Sequence, residues 1–126
     1  MRYLLDTTVL IDQAHGRAGA PELMHRLFRE ADDLLICDVV VTEALSKGPD
    51  EEMLVLGTLI QSLEYVATHP EAARWAGESR RSRRGSGPRS LADAIIAGVA
   101  WFNEATVVTR NPHDFEVQGV RVLGYE

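Results

Sequence analysis

The stretch MRYLLDTTVLID, residues 1–12, changes its period halfway. Arg2, Tyr3, Leu4 and Leu5 make a short, largely apolar run that stops at Asp6, which predicts a buried strand. From Thr7 the spacing turns helical. A strand that hands over directly to a helix, repeated along a chain, builds a parallel sheet covered by helices.

The remaining sequence repeats the handover. Pro21 opens a helix over residues 21–31, with Leu23, Leu27 and Phe28 as its apolar stripe. Residues 34–37 form a second strand, and Asp38 can cap a helix over 40–47 that Gly48-Pro49 stops. Asp50 caps another helix, whose buried side is Met53, Leu54, Leu56, Leu59 and Ile60. Residues 63–66 are a third strand. Pro70 suits the first turn of a helix running past Trp75 to about residue 84, ended by Gly85, Gly87 and Pro88. Ser90 begins a helix with Leu91, Ile95, Ile96 and Val99 on its core face. Residues 105–109 and 119–123 are the fourth and fifth strands. The expectation is an α/β sandwich, a single domain over residues 1–126, with a mostly parallel sheet of four to five strands. Ligands of such folds gather beyond the carboxyl ends of the strands. Asp6 and Thr109 both lie at that edge.

Bulk properties narrow the class. The chain has 126 residues, 45% of them hydrophobic, enough for one core. Cys37 is the only cysteine, which excludes an internal disulfide and suits a reducing compartment. Asp6 interrupts the first apolar run too early for a signal peptide, and no run is long enough to span a membrane. A soluble, cytoplasmic protein is expected. The formal charge of -6 argues against a general nucleic-acid binder. However, RRSRRGSGPR, residues 80–89, holds Arg80, Arg81, Arg83, Arg84 and Arg89 and no acid. Without those five, 8 basic residues face 19 acidic ones, so a basic strip sits on an acidic body. That strip is either a solvated loop or a phosphate-binding surface.

Three acids stand on separate elements, each beside an apolar run. Asp6 ends a buried strand, where a carboxylate needs a cation or must cap the following helix. Glu43 sits among Val39, Val40, Val41, Ala44 and Leu45, either as a surface glutamate or as a ligand. Asp93 lies three residues after Ser90, a capping pair by itself, although Ala97 and Ala100 on its face leave room for a ligand. Converging carboxylates repel one another and are tolerated mainly around a hard divalent cation. His15, His25, His69 and His113 are too scattered for a zinc site. The segment TRNPHDF, residues 109–115, adds Thr109 and Asn111 at a strand exit. Asp114 there is either a fourth carboxylate or the cap of a short helical turn near Pro112.

Four pieces, LLDTTVLID, VVVTEAL, SLADAIIAGVA and TVVTRNPHDFE followed by GVRVLGY, resemble in this order a PIN domain of the VapC type, the toxin of a type II toxin–antitoxin pair. The resemblance spans nearly the whole chain. It implies a PIN-like α/β/α sandwich and an Mg²⁺- or Mn²⁺-dependent endoribonuclease toxin acting on structured RNA such as tRNA or rRNA. It also implies a homodimer and a cognate VapB-like antitoxin. Carried onto this sequence, the metal acids are Asp6, Glu43 and Asp93, and Asp114 joins them as a catalytic candidate. Thr7 (or Thr8), Thr109 and Asn111 play supporting parts. Members often carry an aspartate where this chain has Asn111, and Asp114 is the substitute at hand. An acidic site repels RNA, which favours Arg80, Arg81, Arg83, Arg84 and Arg89 as its phosphate contacts. The alternative is a PIN scaffold of impaired activity that binds protein or RNA. A phosphoreceiver is disfavoured because Lys47, the sole lysine, is not after the last strands. An aspartyl-phosphate phosphatase is disfavoured because Thr8 stands where a second aspartate belongs.

Overall fold

The computed structural model describes residues 1–82 and 90–126. The predicted helix end near residue 84, its stop at Gly85, Gly87 and Pro88, and the strip residues Arg83, Arg84 and Arg89 fall outside these. In chain order the elements are β1 (Arg2–Leu5), α1 (Thr7–His15), α2 (Ala20–Glu30), β2 (Asp33–Cys37), α3 (Asp38–Ala44) and α4 (Asp50–Gln61). There follow β3 (Glu64–Val66), α5 (Pro70–Ser82), α6 (Leu91–Phe102), β4 (Thr106–Thr109), α7 (His113–Glu116) and β5 (Val122–Gly124).

The five strands form one sheet in the order β3-β2-β1-β4-β5. Every neighbouring pair is parallel, with Leu4 opposite Leu35 on one side and Val107 on the other. The first strand is therefore central. After β1 the chain winds outward through β2 to β3, then returns across the sheet to β4 and β5. Crossovers are right-handed, so reversing direction moves the connecting helices to the opposite face. The reversal leaves a crevice between the carboxyl ends of β1 and β4, the switch point where open parallel sheets bind ligands.

The core is aliphatic. Leu4, Leu5, Leu35, Ile36, Val107 and Val108 from the sheet are fully buried, as are Val9, Leu10, Val40, Leu56 and Ile96 from the helices. Both faces of each central strand are covered, which is why β1, β2 and β4 read as continuous apolar runs and not as alternating ones. Cys37 is buried at the end of β2, and burial pushes its thiol up to about 11.

Several local expectations need correction. Leu54 and Leu91, assigned to buried faces, are exposed (76% and 59%), and Phe28 is about half exposed. Helical period groups these positions on a face, but they remain open to solvent. Asp50 is the first residue of α4, with Pro49 preceding it and no side-chain cap. Helix α3 starts at Asp38 and stops at Ala44, earlier than expected at both ends. The last strand begins at Val122, because Gly119 sits in a left-handed turn (φ 83°).

A carboxylate edge at the switch point

Asp6 is the last residue before α1 and is 5% exposed. Its backbone N–H donates to the Val108 carbonyl across the β1–β4 pair at 2.9 Å, which fixes its position in the sheet. Its carboxylate accepts from the Thr7 amide at 2.8 Å, the Thr109 hydroxyl at 2.8 Å and the Thr8 hydroxyl at 3.2 Å. Asp6 thus caps α1, and the same carboxylate is tied to β4 through Thr109. Burial pushes its pKa up, the three hydrogen bonds pull it down, Glu43 adds repulsion, and the net shift is upward.

Glu43, near the end of α3, is exposed. The Thr7 hydroxyl donates to its Oε1 at 2.7 Å, tying α3 to the residue that follows Asp6. Thr8 and Thr109 complete the frame. Arg110 N–H donates to the Thr8 hydroxyl at 3.2 Å, and Asn111 N–H to the Thr109 hydroxyl at 3.0 Å. Each threonine therefore accepts from the β4–α7 turn and donates to the Asp6 carboxylate.

Asp93 stands in the first turn of α6, half-buried, its N–H donating to Ser90 Oγ at 3.3 Å. Burial, then the charges of Asp6, Asp114 and Glu43, raise its pKa to about 6. These causes place Asp6, Asp114 and Glu43 within electrostatic reach of Asp93. Asp114 lies inside α7 and does not cap it, since Pro112 precedes that helix. Asn111 contributes backbone contacts through its N–H and its carbonyl. Among the described residues, no three His, Cys, Asp or Glu side chains are drawn together to ligating distance. The donor set is all oxygen, carboxylates with threonine hydroxyls behind them. Such a set fits a hard cation such as Mg²⁺ and does not fit zinc.

The structure also reveals residues the sequence had not marked. Asp12, on α1, is 1% exposed. It accepts from Tyr125 Oη at 2.7 Å and Arg110 Nη1 at 3.0 Å, with Arg17 Nη2 at 3.7 Å. This ion pair, buried on the Asp12 side, holds the β4–α7 turn, and so Thr109, against α1. Gln118 does the same for the other acids. Its Nε2 donates to the Asp114 carbonyl at 2.9 Å and the Asp93 carbonyl at 3.4 Å, and its Oε1 accepts from Ser79 at 3.2 Å. Asp12 reads as a helix-surface residue in the sequence because its partners are about a hundred positions away.

Comparison with known proteins decides the family. The PIN-domain family model matches residues 3–118. The chain belongs to the PIN-domain family. This PIN domain is 25% identical over 114 residues to Ribonuclease VapC19 of Mycobacterium tuberculosis, covering 89% of this chain and 90% of that protein. Among solved structures it is similar to DNA-bound VapBC from Salmonella typhimurium, with TM-score 0.78, 25% identity and 98% of each chain covered. VapBC2 from Rickettsia felis, bound to a promoter DNA fragment, superposes at TM-score 0.81 over 100% of both chains at 19% identity, a likeness of fold.

Proposed function

We propose that this PIN domain is a VapC-type toxin, a divalent-metal-dependent endoribonuclease held inactive by a VapB-like antitoxin. The observation that carries the reading is the linkage of Asp6 and Glu43 through Thr7 at the edge of a parallel sheet, with Asp93 close enough to feel both charges and that of Asp114, in a chain whose relative is named a ribonuclease. Asp6, Asp93 and Glu43 would hold Mg²⁺ or Mn²⁺. When bound, the ion lowers the pKa of a water and neutralises charge developing on the scissile phosphate. Thr8 and Thr109 fix the orientation of Asp6, and Thr7 fixes that of Glu43. The exposed Glu43 carboxylate would also accept the proton of the attacking water. Asp114 supplies the acidic character that Asn111 lacks. In-line attack on phosphorus would leave a 5′-phosphate and a 3′-hydroxyl.

One neighbour of the fold is by name a toxin–antitoxin complex and others are VapBC assemblies, so a VapB-like partner over this edge is part of the same proposal. So are a homodimer, a structured RNA substrate and cytoplasmic residence. Among the described residues no helix is long and apolar enough to cross a membrane. The deciding experiment is Mn²⁺-supported cleavage of structured RNA by the wild type and Asp6→Asn. The variant is expected to lose on the order of 10²-fold or more in rate, the scale set by removal of a single group that stabilises developing charge. Equal rates would sink the scheme.

A further inference from the structure

Beside the carboxylate edge, and sharing Thr7 and Glu43 with it, opens a cleft of about 430 Å³ between α1, α3 and α4. Its volume lies in the range of small-ligand sites. One wall is apolar, formed by half-buried Ile11 and buried Ala44. The rim is polar and unlike the rest of the surface. It carries Lys47, the only lysine of the chain, and the Glu52 carboxylate, which His15 Nε2 holds through Oε1 at 3.2 Å. Glu52 is 17% exposed, so its carboxylate is set into the cleft and not waving in solvent. Each carboxylate oxygen keeps accepting capacity beyond the contact with His15. Among the described residues Lys47 has no carboxylate at ion-pairing distance.

An apolar wall faced by a fixed carboxylate and an ammonium group is complementary to a flat heterocycle with donors and acceptors along its edge. Guanine is the RNA base with two adjacent N–H donors, N1–H and the exocyclic amino group, suited to one carboxylate. Its O6 and N7 are acceptors that suit a lysine. Because Glu43 belongs to both cleft and carboxylate edge, a base seated here would place its own phosphate at the acids. We propose that this cleft is a guanine subsite that selects the nucleotide next to the scissile bond, with Glu52 and Lys47 reading the base and Ile11 packing on its face. The inference rests on the nuclease reading for its place in the reaction, and its test is independent of cleavage.

The test titrates ¹⁵N-labelled, chelator-treated protein with the four nucleoside 5′-monophosphates. GMP is expected to shift the amides of Ile11, Lys47 and Gly48 and to bind about tenfold more tightly than the others, the discrimination of one good base contact. Glu52→Gln should bring GMP level with the other three, and the exposed Lys47→Ala should weaken it severalfold. Equal binding of all four nucleotides, shifts away from the cleft, or retained guanine preference in Glu52→Gln would overturn the subsite. In a parallel cleavage of pooled RNA with Mn²⁺, cuts beside guanine should lose that bias in Glu52→Gln. No cleavage by the wild type, with GMP still seated in the cleft, would remove the nuclease reading and uphold the guanine site.

Discussion

At the scale of single residues, Asp93 sets the proposed function against stability. A carboxyl whose folded pKa of about 6 exceeds its ordinary 3.8 holds its proton more tightly when folded. Its cost is absent below pH 3.8, grows as the pH rises toward 6 and is complete above that. In chelator, Asp93→Asn should therefore raise the melting temperature at neutral pH and lose that advantage in acid. For a half-exposed group, screening reduces the gain to about 1 kcal/mol, a few degrees. Scanning calorimetry from pH 3.5 to 7.5 checks this, and a flat difference would contradict it. Asp38 has the opposite sign. Burial opposes its charge, but hydrogen bonds from the Thr68 hydroxyl and amide and the Val39 amide outweigh that and hold its pKa below the usual value. Thr68→Val should cost about 1 kcal/mol at neutral pH. That difference should shrink as the pH falls through the depressed pKa, measurable by urea unfolding at two pH values.

At the scale of elements, the helix carrying Asp93 is placed by a glycine. A Cβ on Gly98 would be driven into the Ala72 carbonyl oxygen of α5, so α5 and α6 cross with almost no gap. Gly98→Ala should force the helices apart and cost about 1–3 kcal/mol, as overpacking does. Activity should fall further than stability alone explains, because Asp93 moves with α6. Comparing melting temperature with Mn²⁺-dependent rate tests both parts. Elements also show what was legible beforehand. The continuous apolar runs of β1, β2 and β4 are legible because both faces of a central parallel strand are buried. Leu54 and Leu91 were misplaced because helical period says which residues share a face, not whether anything packs there. Asp6, Glu43 and Asp93 stood out because each interrupts an apolar neighbourhood. Asp12 and Gln118 did not, since their roles come from partners brought in by the sheet order.

At the scale of the whole molecule, charge is unevenly spread. An acidic body repels the polyanion it is proposed to cut, and Arg80 and Arg81, exposed in the last turn of α5, begin the counterweight. Substituting Arg81, Arg83 and Arg84 with alanine should weaken RNA binding and flatten its salt dependence. Three lost phosphate contacts would reduce the slope of log K against log salt by up to about 2 on single-stranded RNA. Fluorescence anisotropy at several salt concentrations measures it, and an unchanged slope would remove the strip from the binding surface.

The threonine that steadies Asp6 sits 103 positions further along, on the strand beside it. A polypeptide leaving the ribosome presents Asp6 about a hundred residues before the Thr109 that steadies it. Half-made copies therefore carry Asp6 without its partner on β4. Synthesis itself sets a delay between the first acid and the finished carboxylate edge, during which a partner of the proposed kind can be made and waiting.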